Sequence, residues 1–597
     1  MFCTNCGANQ PDGTKFCTVC GASMEASAPV EPIAPAYAPE TETPAETNKF
    51  DVDAVKDQLF DTLQPVTKKC KSVFSNKKAR LGIIAGIVLL VVIGVVAAIL
   101  FGGNGYVAVK QEVVLMAEDG TLNIAVNGKL IKDTIDLPVQ KDRNGNPEKD
   151  EEGNKQYYSY GSTSSMDGKI TAIWVRDYIM EYDENGWYKD SYYDGELYVL
   201  NGKKLQLIAE DVCGYDISVS GKGITYTTKN ESKEDDKFTT YTLNLYNVGT
   251  KKSVTISDEA AGLGELSPNG KSVAYFVGDY NKKTEETEYT LMLYSGKKST
   301  EITDKDVTLI GLSNNGKYIY AVENEEKDGK SEQTMLCFNN KGKSTKLGEC
   351  EDDYGYMNKD HTQVMFYNDG ETYIATKNKS AERVSKKHLD MVTPKSAGSS
   401  NYTYPVSDLY GKTYEVETAE GRDVYLIKKG GKSNKLVDGG YYITMDESGQ
   451  YIYYITEKND LKCVQISMNQ NAKSKAVEIA EDVDEYQVTS NRKYVYFITD
   501  DSELLCVNGK KGGKAKEVCG DDVRGIILTK GDVLFYIVGE VDDNELELFS
   551  TKNGKKGTSV LDDVTGVKGW TRDYVYLESD ENVYVSSGKK MKKLELK

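Results

Sequence analysis

Four cysteines open the chain at a spacing that suits a metal. The stretch MFCTNCGANQPDGTKFCTVCGA places Cys3, Cys6, Cys17 and Cys20 as C-x2-C-x10-C-x2-C. Each C-x-x-C-G turn sets two thiolates on one side of a tight loop. Gly7 and Gly21 follow the second cysteine of each pair, where a positive φ is useful. Two such knuckles complete a tetrahedral four-sulfur zinc site. So short a segment has no core, so the metal must supply its folding energy. A redox pair or disulfides are the rival readings; the doubled, glycine-flanked spacing favours zinc. A closed four-thiolate site has no open position for a substrate, which makes the zinc structural.

Six further cysteines lie late in the chain: Cys213, Cys337, Cys350, Cys463, Cys506 and Cys519. Cys337 to Cys350 and Cys506 to Cys519 share one spacing. If Gly512-Gly513 makes a two-residue hairpin turn, Cys506 sits across from Cys519 at a separation a disulfide can close. The alternative is that all six are buried thiols, since cysteine packs as a small hydrophobe. Only two histidines exist, His361 and His388. His361 falls in a turn and reads as a surface residue. No G-x-S-x-G and no H-E-x-x-H occurs. Gly270-Lys271-Ser272 sits between strands, with no helix to receive a phosphate. Asp142, Asn144, Asn146 and Glu148 alternate like calcium ligands, but Pro147 takes the place of the needed glycine and Gly153 that of the bidentate glutamate. No catalytic residue is assigned.

The element that organises these groups is LGIIAGIVLLVVIGVVAAILF, Leu81 to Phe101, 21 residues without a charge. As a helix it spans about 30 Å, the thickness of a hydrocarbon core. Lys68, Lys69, Lys71, Lys77, Lys78 and Arg80 precede it, with no acidic residue between Pro65 and the apolar run. That asymmetry makes it an uncleaved signal anchor, with residues 1–80 cytoplasmic and the remainder outside the cytoplasm. The basic run also suits anionic headgroups. Gly82 with Gly86, and Gly94 with Ala98, set small residues at the spacing of paired membrane helices, so a homodimer through this helix is one expectation. Residues 23–49 are an Ala/Pro/Glu/Thr tether. Within 23–64, Val52, Val55, Leu59 and Leu63 recur at helical spacing, and Pro65 stops the pattern.

From Tyr106 onward the hydrophobic period is two. A unit recurs: a polar turn often holding Gly-Lys, a Tyr/Val strand, a hydrophilic stretch, a second strand, another Gly/Lys turn and a third strand. LSPNGKSVAYFV (266–277) with YTLMLYSGKKSTEIT (289–303) is one copy, and LSNNGKYIYAVE (312–323) with TMLCFNNKGKSTKLGE (334–349) is the next. A short apolar run before the turn makes four strands per unit, the blade of a β-propeller. Roughly ten or eleven units fit the chain, where propellers usually hold four to eight blades. Residues 389–410 are Ser/Pro-bearing and break the pattern. The expectation is a mainly-β chain with two propellers, 105–390 and 411–597.

Two resemblances follow. Residues 1–22 look like the zinc-ribbon module at the N-terminus of many bacterial membrane proteins, with all four ligand positions matching. The LSPNGK…Y…LMLY…ITD pattern resembles the WD-like repeats of TolB-type propellers. Propellers present a broad rim and a central channel, which implies recognition of a protein, a peptide or a cell-wall glycan.

Composition narrows the partners. Residues 1–80 hold 9 Lys+Arg and 10 Asp+Glu, so the net charge of −19 falls almost wholly on the later chain. An acidic region of that size argues against nucleic acid and anionic lipid as its partners. The ribbon offers only Lys15 as a cation, again against nucleic acid. Three functions stay open: a membrane-anchored binding protein, a cell-wall-directed hydrolase or lyase with carboxylates at the channel, and a sensor signalling through the ribbon. The zinc reading is tested by metal analysis of the purified chain. One zinc per chain is expected, and Cys17→Ser should abolish it.

Overall fold

The computed structural model describes residues 112–597 apart from short stretches at 142–145, 151–152, 183–187, 231–238, 282–285, 328–329, 393–405, 467–475, 521, 530, 540–545, 572 and 589. The ribbon, the tether with its amphipathic segment, the basic run 65–80 and the apolar segment 81–101 lie outside the described residues. Among the described residues no helix is long and apolar enough to cross a membrane.

The described chain is built of antiparallel sheets in which neighbours in sequence are neighbours in space. Six sheets have four strands each. An eight-stranded and a seven-stranded sheet each hold two units, and residues 112–136 form a three-stranded sheet. That makes eleven blade-like units. The inner strand comes first in each complete unit, and the inner strands of units three, four and five, and of nine and ten, lie against one another. In the seven-stranded sheet one long strand, Lys432–Met445, serves two units. It is the outer strand of unit seven and then the inner strand of unit eight.

Why the strands form is plain from their side chains. Second strands such as Tyr494–Ile498 (YVYFI) and Val533–Val538 (VLFYIV) are β-branched and aromatic, and nearly every residue is buried. They sit mid-sheet with a neighbouring unit on each face, so both faces are apolar. Alternate residues serve opposite neighbours. Val495 and Phe497 pack in the cluster shared with unit eight, while Tyr496 and Ile498 pack in the cluster shared with unit ten.

No unit has a core of its own. Each of the eleven buried clusters combines side chains of two successive units. Leu122 and Ile124 of unit one pack with Ile173 and Val175 of unit two. The series closes: Val113, Leu115 and Ala125 of unit one pack with Tyr576, Val583 and Val585 of unit eleven. The last residue, Lys597, donates its N–H to Asn123 Oδ1 at 2.9 Å and accepts from Asn123 Nδ2 at 3.2 Å.

The boundary expected between propellers at 105–390 and 411–597 falls between units six and seven, which pack against each other. Leu389, Val406 and Leu409 are buried in one cluster with Met365 and Tyr367 of unit six and Tyr414 and Ile427 of unit seven. The Tyr367 hydroxyl donates to Leu389 O at 2.9 Å, and Leu409 N–H donates to Gln363 Oε1 at 2.7 Å. The Ser/Pro composition hid apolar residues at the edges of the segment.

The register does not set Cys506 and Cys519 face to face. Cys506 lies opposite Lys516, and Cys519 lies opposite Leu504, with a bulge between Leu504 and Leu505. The turn is longer than two residues, since Gly512 N–H reaches back to Asn508 O at 2.9 Å. Cys506 is buried against the turn of unit ten, where a Cβ on Gly554 would come within 2.8 Å of its Sγ. Cys337 and Cys350 likewise face Thr345 and Gln333, not each other. All six later cysteines are thiols. Burial pushes Cys337, Cys350 and Cys506 up to about 12, so they are protonated and unreactive at neutral pH.

The strand directions give the ring two different ends. Turns from inner to second strand and from third to outer strand emerge at one end. Hairpins from second to third strand, and connections to the next unit, emerge at the other. Backbone bonds stitch successive inner-to-second turns together: Met166 N–H to Val219 O at 3.0 Å and Ser220 N–H to Pro268 O at 2.9 Å. If 389–410 were a linker, Leu409→Ala would change stability by under about 0.5 kcal/mol. As a core position it should cost about 2–5 kcal/mol, read as a lowered denaturant midpoint.

Candidate functional site

Of the twelve large apolar side chains exposed among the described residues, all but Leu207, Val254 and Val477 sit at the end of hairpins and connections. They include Tyr178 and Tyr193 on one hairpin, Tyr289 on another, and Tyr354, Tyr441 and Tyr442 in connections. Those three exceptions lie on outer strands. The same end carries runs of carboxylates in its connections, such as Glu210-Asp211, Glu351-Asp352-Asp353 and Asp562-Asp563. Aromatic faces beside carboxylates form a surface for cations and for polar, partly apolar chains.

The hairpin of unit two is the most elaborated part of this end. Its strands, Ile170–Tyr182 and Tyr188–Asn201, are long, and their register sets Arg176 opposite Gly195, Asp177 opposite Asp194 and Tyr178 opposite Tyr193. Gly195 is required, because a Cβ there would lie 1.9 Å from Val175 O. On one face the Arg176 guanidinium carbon stands 4.7 Å from the ring centres of both Trp174 and Tyr193. Trp174 donates Nε1–H to Val212 O at 3.1 Å, and Tyr215 meets its ring edge-on at 5.7 Å. Arg176 Nε is buried without a hydrogen-bond partner.

The opposite face lines a pocket of about 220 Å3. Its apolar floor is Pro138, Tyr158, Val175 and Ile179. Its carboxylates are Asp177, Asp194 and Glu196 from the hairpin, with Glu210 and Asp211 from the connection to unit three. Strand alternation puts Arg176 on the other face, so it cannot neutralise them. Glu196 is held by the Tyr198 hydroxyl. Burial, then the charges of Asp211 and Asp177, hold the Asp194 carboxyl above its ordinary range. Like charges directly across a strand pair destabilise. A cation in the pocket would relieve that repulsion.

A second carboxylate pair lies on inner strands. Asp216 of unit three is pushed up to about 6 by burial, although Ile217 N–H at 2.8 Å opposes the shift. Glu265 of unit four is pushed up to about 7, by burial first and then by the charge of Asp216. Glu265 is exposed to water yet closely surrounded by protein. Among the described residues no group of three or more His, Cys, Asp or Glu side chains is placed to hold a metal.

His361 is not the surface residue its turn suggested. Its Nδ1 lies 3.1 Å from Leu312 O in unit five, and burial lowers it to about 4, so it is neutral at physiological pH. His388 stacks on Tyr367 with ring centres 3.6 Å apart. Neither faces the pocket. Reading the sequence missed Arg176, Trp174, Tyr193 and the five carboxylates as a group. The available signal was the length of the Tyr-rich unit-two hairpin. Cys3, Cys6, Cys17 and Cys20, the basic residues Lys68 to Arg80 and the turn at 142–148 fall wholly or partly outside the described residues.

Comparison with known proteins finds likenesses for the two ends of the chain separately. A zinc-ribbon domain matches residues 2–24, and its four thiols in two C-x-x-C-G pairs are a donor set that fits zinc. No characterised protein matches the chain in sequence. The β-propeller domain of the Trilobed protease from Pyrococcus furiosus is similar at 13% identity, over 66% of this chain and 95% of that one, with a TM-score of 0.26. Dipeptidyl peptidase 4 of Porphyromonas gingivalis is similar at 12% identity, over 74% of this chain and 65% of its own, with a TM-score of 0.35. The tricorn protease is similar at 10% identity, over 82% and 62%, with a TM-score of 0.17. The chain thus carries an N-terminal zinc-ribbon domain and a mainly-β region similar to β-propellers.

Proposed function

We propose that this chain is a single-pass membrane-anchored binding protein. Leu81–Phe101 is its transmembrane helix, and Lys68, Lys69, Lys71, Lys77, Lys78 and Arg80 keep the head in the cytoplasm. Cys3, Cys6, Cys17 and Cys20 hold one structural zinc there. The propeller-like ring lies outside the cytoplasm and recognises a protein or peptide through its carboxylate end. The observation that carries this reading is the concentration of exposed aromatic side chains among carboxylates at one end of the ring. Charge favours a cationic segment of a protein or peptide over a neutral glycan. The test is titration of the full chain, in nanodiscs, with a lysine- and tyrosine-containing peptide and its neutral counterpart. The cationic peptide should bind more tightly, with a steep loss in salt. Tyr178→Ser with Tyr193→Ser should weaken it about tenfold, as loss of an aromatic hot spot does. Equal affinity for both peptides defeats the reading.

A second reading, polymer cleavage at the inner-strand carboxylates, is favoured by one feature: burial beside Asp216 pushes Glu265 up to about 7. A proton donor poised near neutrality is what general acid catalysis needs. The proton itself is testable. The folded chain binds it between pH 4.5, where glutamate ordinarily releases it, and about 7. Stability contributed by that proton is present below the lower value and lost as pH rises through the upper one. Glu265→Gln should therefore melt with the parent chain at pH 4 and above it at pH 8. Equal melting at both values means Glu265 is ordinarily ionised and the second reading falls.

A further inference from the structure

The net negative charge conceals a polarity. The end opposite the carboxylates is built from turns, and lysine recurs in them at fixed places. The residue after the turn glycine is Lys271 in unit four and Lys317 in unit five. Third-to-outer turns carry pairs: Lys251-Lys252, Lys297-Lys298 and Lys555-Lys556, all exposed. None of these six is in an ion pair among the described residues. The carboxylates at this end are occupied in the turns themselves. Asp446 Oδ1 accepts from Gln450 N–H at 2.9 Å and Tyr451 N–H at 2.8 Å. Asp532 Oδ1 accepts from Ser490 N–H at 2.8 Å.

The two ends are electrically separate. A five- or six-residue strand at ~3.3 Å per residue sets them about 17–20 Å apart. The Debye length at physiological salt is about 8 Å, so the carboxylates cannot cancel the lysines at a surface touching the lysine end. The chain also arrives at this end. Glu112 opens the first described strand opposite Val126, immediately before the Asn127-Gly128 turn. Ten residues, 102–111, separate it from Phe101. Fully extended they reach about 36 Å at most.

We propose that the lysine end seats on the anionic phospholipid headgroups of the bilayer crossed by Leu81–Phe101, with the carboxylate end facing away. This rests on the membrane anchoring proposed above. It replaces the expectation that the acidic ring avoids anionic lipid: that expectation averaged two opposite ends. Each lysine brought to such a surface adds to the attraction, so a few turns together fix the orientation.

The test uses the full chain and vesicles of phosphatidylcholine alone or mixed with phosphatidylglycerol. Lysine acetylation by a water-soluble reagent is read peptide by peptide. With the anionic mixture, Lys251, Lys252, Lys297, Lys298, Lys555 and Lys556 should be protected several-fold, and high salt should restore labelling. Lys458, in a hairpin at the other end, should label equally throughout. Replacing Lys297, Lys298, Lys555 and Lys556 by Glu should abolish protection at Lys251 and Lys252. Equal labelling in both vesicles overturns the proposal while co-flotation with phosphatidylcholine keeps the anchor. Failure to co-float with phosphatidylcholine ends the anchoring reading, and the anionic mixture still decides the lysine end. Protection by added duplex DNA but not by vesicles also overturns it, assigning the end to a different polyanion.

Discussion

The ring depends on a seam between its last unit and its first. Tyr576 is fully buried in unit eleven, and its hydroxyl accepts the N–H of Gly128 at 3.0 Å across that seam. Gly128 adopts a left-handed φ of 72°, and a Cβ there would stand 2.4 Å from the Tyr574 ring. The same latch recurs between other units. Tyr453 donates to Gly509 O at 2.6 Å, and Tyr496 accepts from Gly554 N–H at 2.9 Å. In each case a second-strand tyrosine reaches the third-to-outer turn of the next unit. A buried hydroxyl needs a partner, and in these three cases a glycine lets the turn bring a backbone group to that depth. Because every cluster is shared by two units, an open seam would leave an apolar face on each side. Closure makes the units interdependent.

That constraint explains what could be read from the residues and what could not. The Gly-Lys turns, the Tyr/Val strands and the four-strand unit were visible, because each is local chemistry with a period. Continuity was not. The residues near 389–410 look like a linker by composition, and only their apolar edges, Leu389 and Leu409, say otherwise. Register was not legible either. A single bulge beside Leu504 and a turn closed by Asn508 move Cys506 from Cys519 to Lys516. Spacing between cysteines fixes neither.

Charge was legible only as a total. Alternating strand direction sorts turn residues from hairpin residues, and this sorting turns a mixed composition into two ends of opposite sign. The lysines follow turn glycines, where an exposed, flexible side chain costs nothing in packing. The carboxylates occupy connections and hairpins, often in left-handed conformation, as at Asp211, Asp482 and Asp563. Asp and Asn tolerate that region better than most residues. Local turn chemistry thus suffices to create a field along the ring axis.

The unit-two pocket departs from how several other units treat their carboxylates. Elsewhere partners are close: Arg383 binds Glu371 at 3.0 Å, Arg422 binds Glu415 at 2.5 Å, and Lys435 binds Asp423 at 2.9 Å. At the pocket, Asp177 and Asp194 oppose each other across the strand pair, and the nearby Arg176 is turned to the other face between two aromatic rings. Exchanging Arg176 and Asp177 would pair the charges at no cost in chain length. A sheet that neutralises its carboxylates in several units and leaves them facing one another in one hairpin has kept a local conflict. Such conflicts are expected at functional sites, where a ligand supplies the missing partner. That physical asymmetry is why the carboxylate end, and within it the hairpin of unit two, is the place to look for what this protein binds.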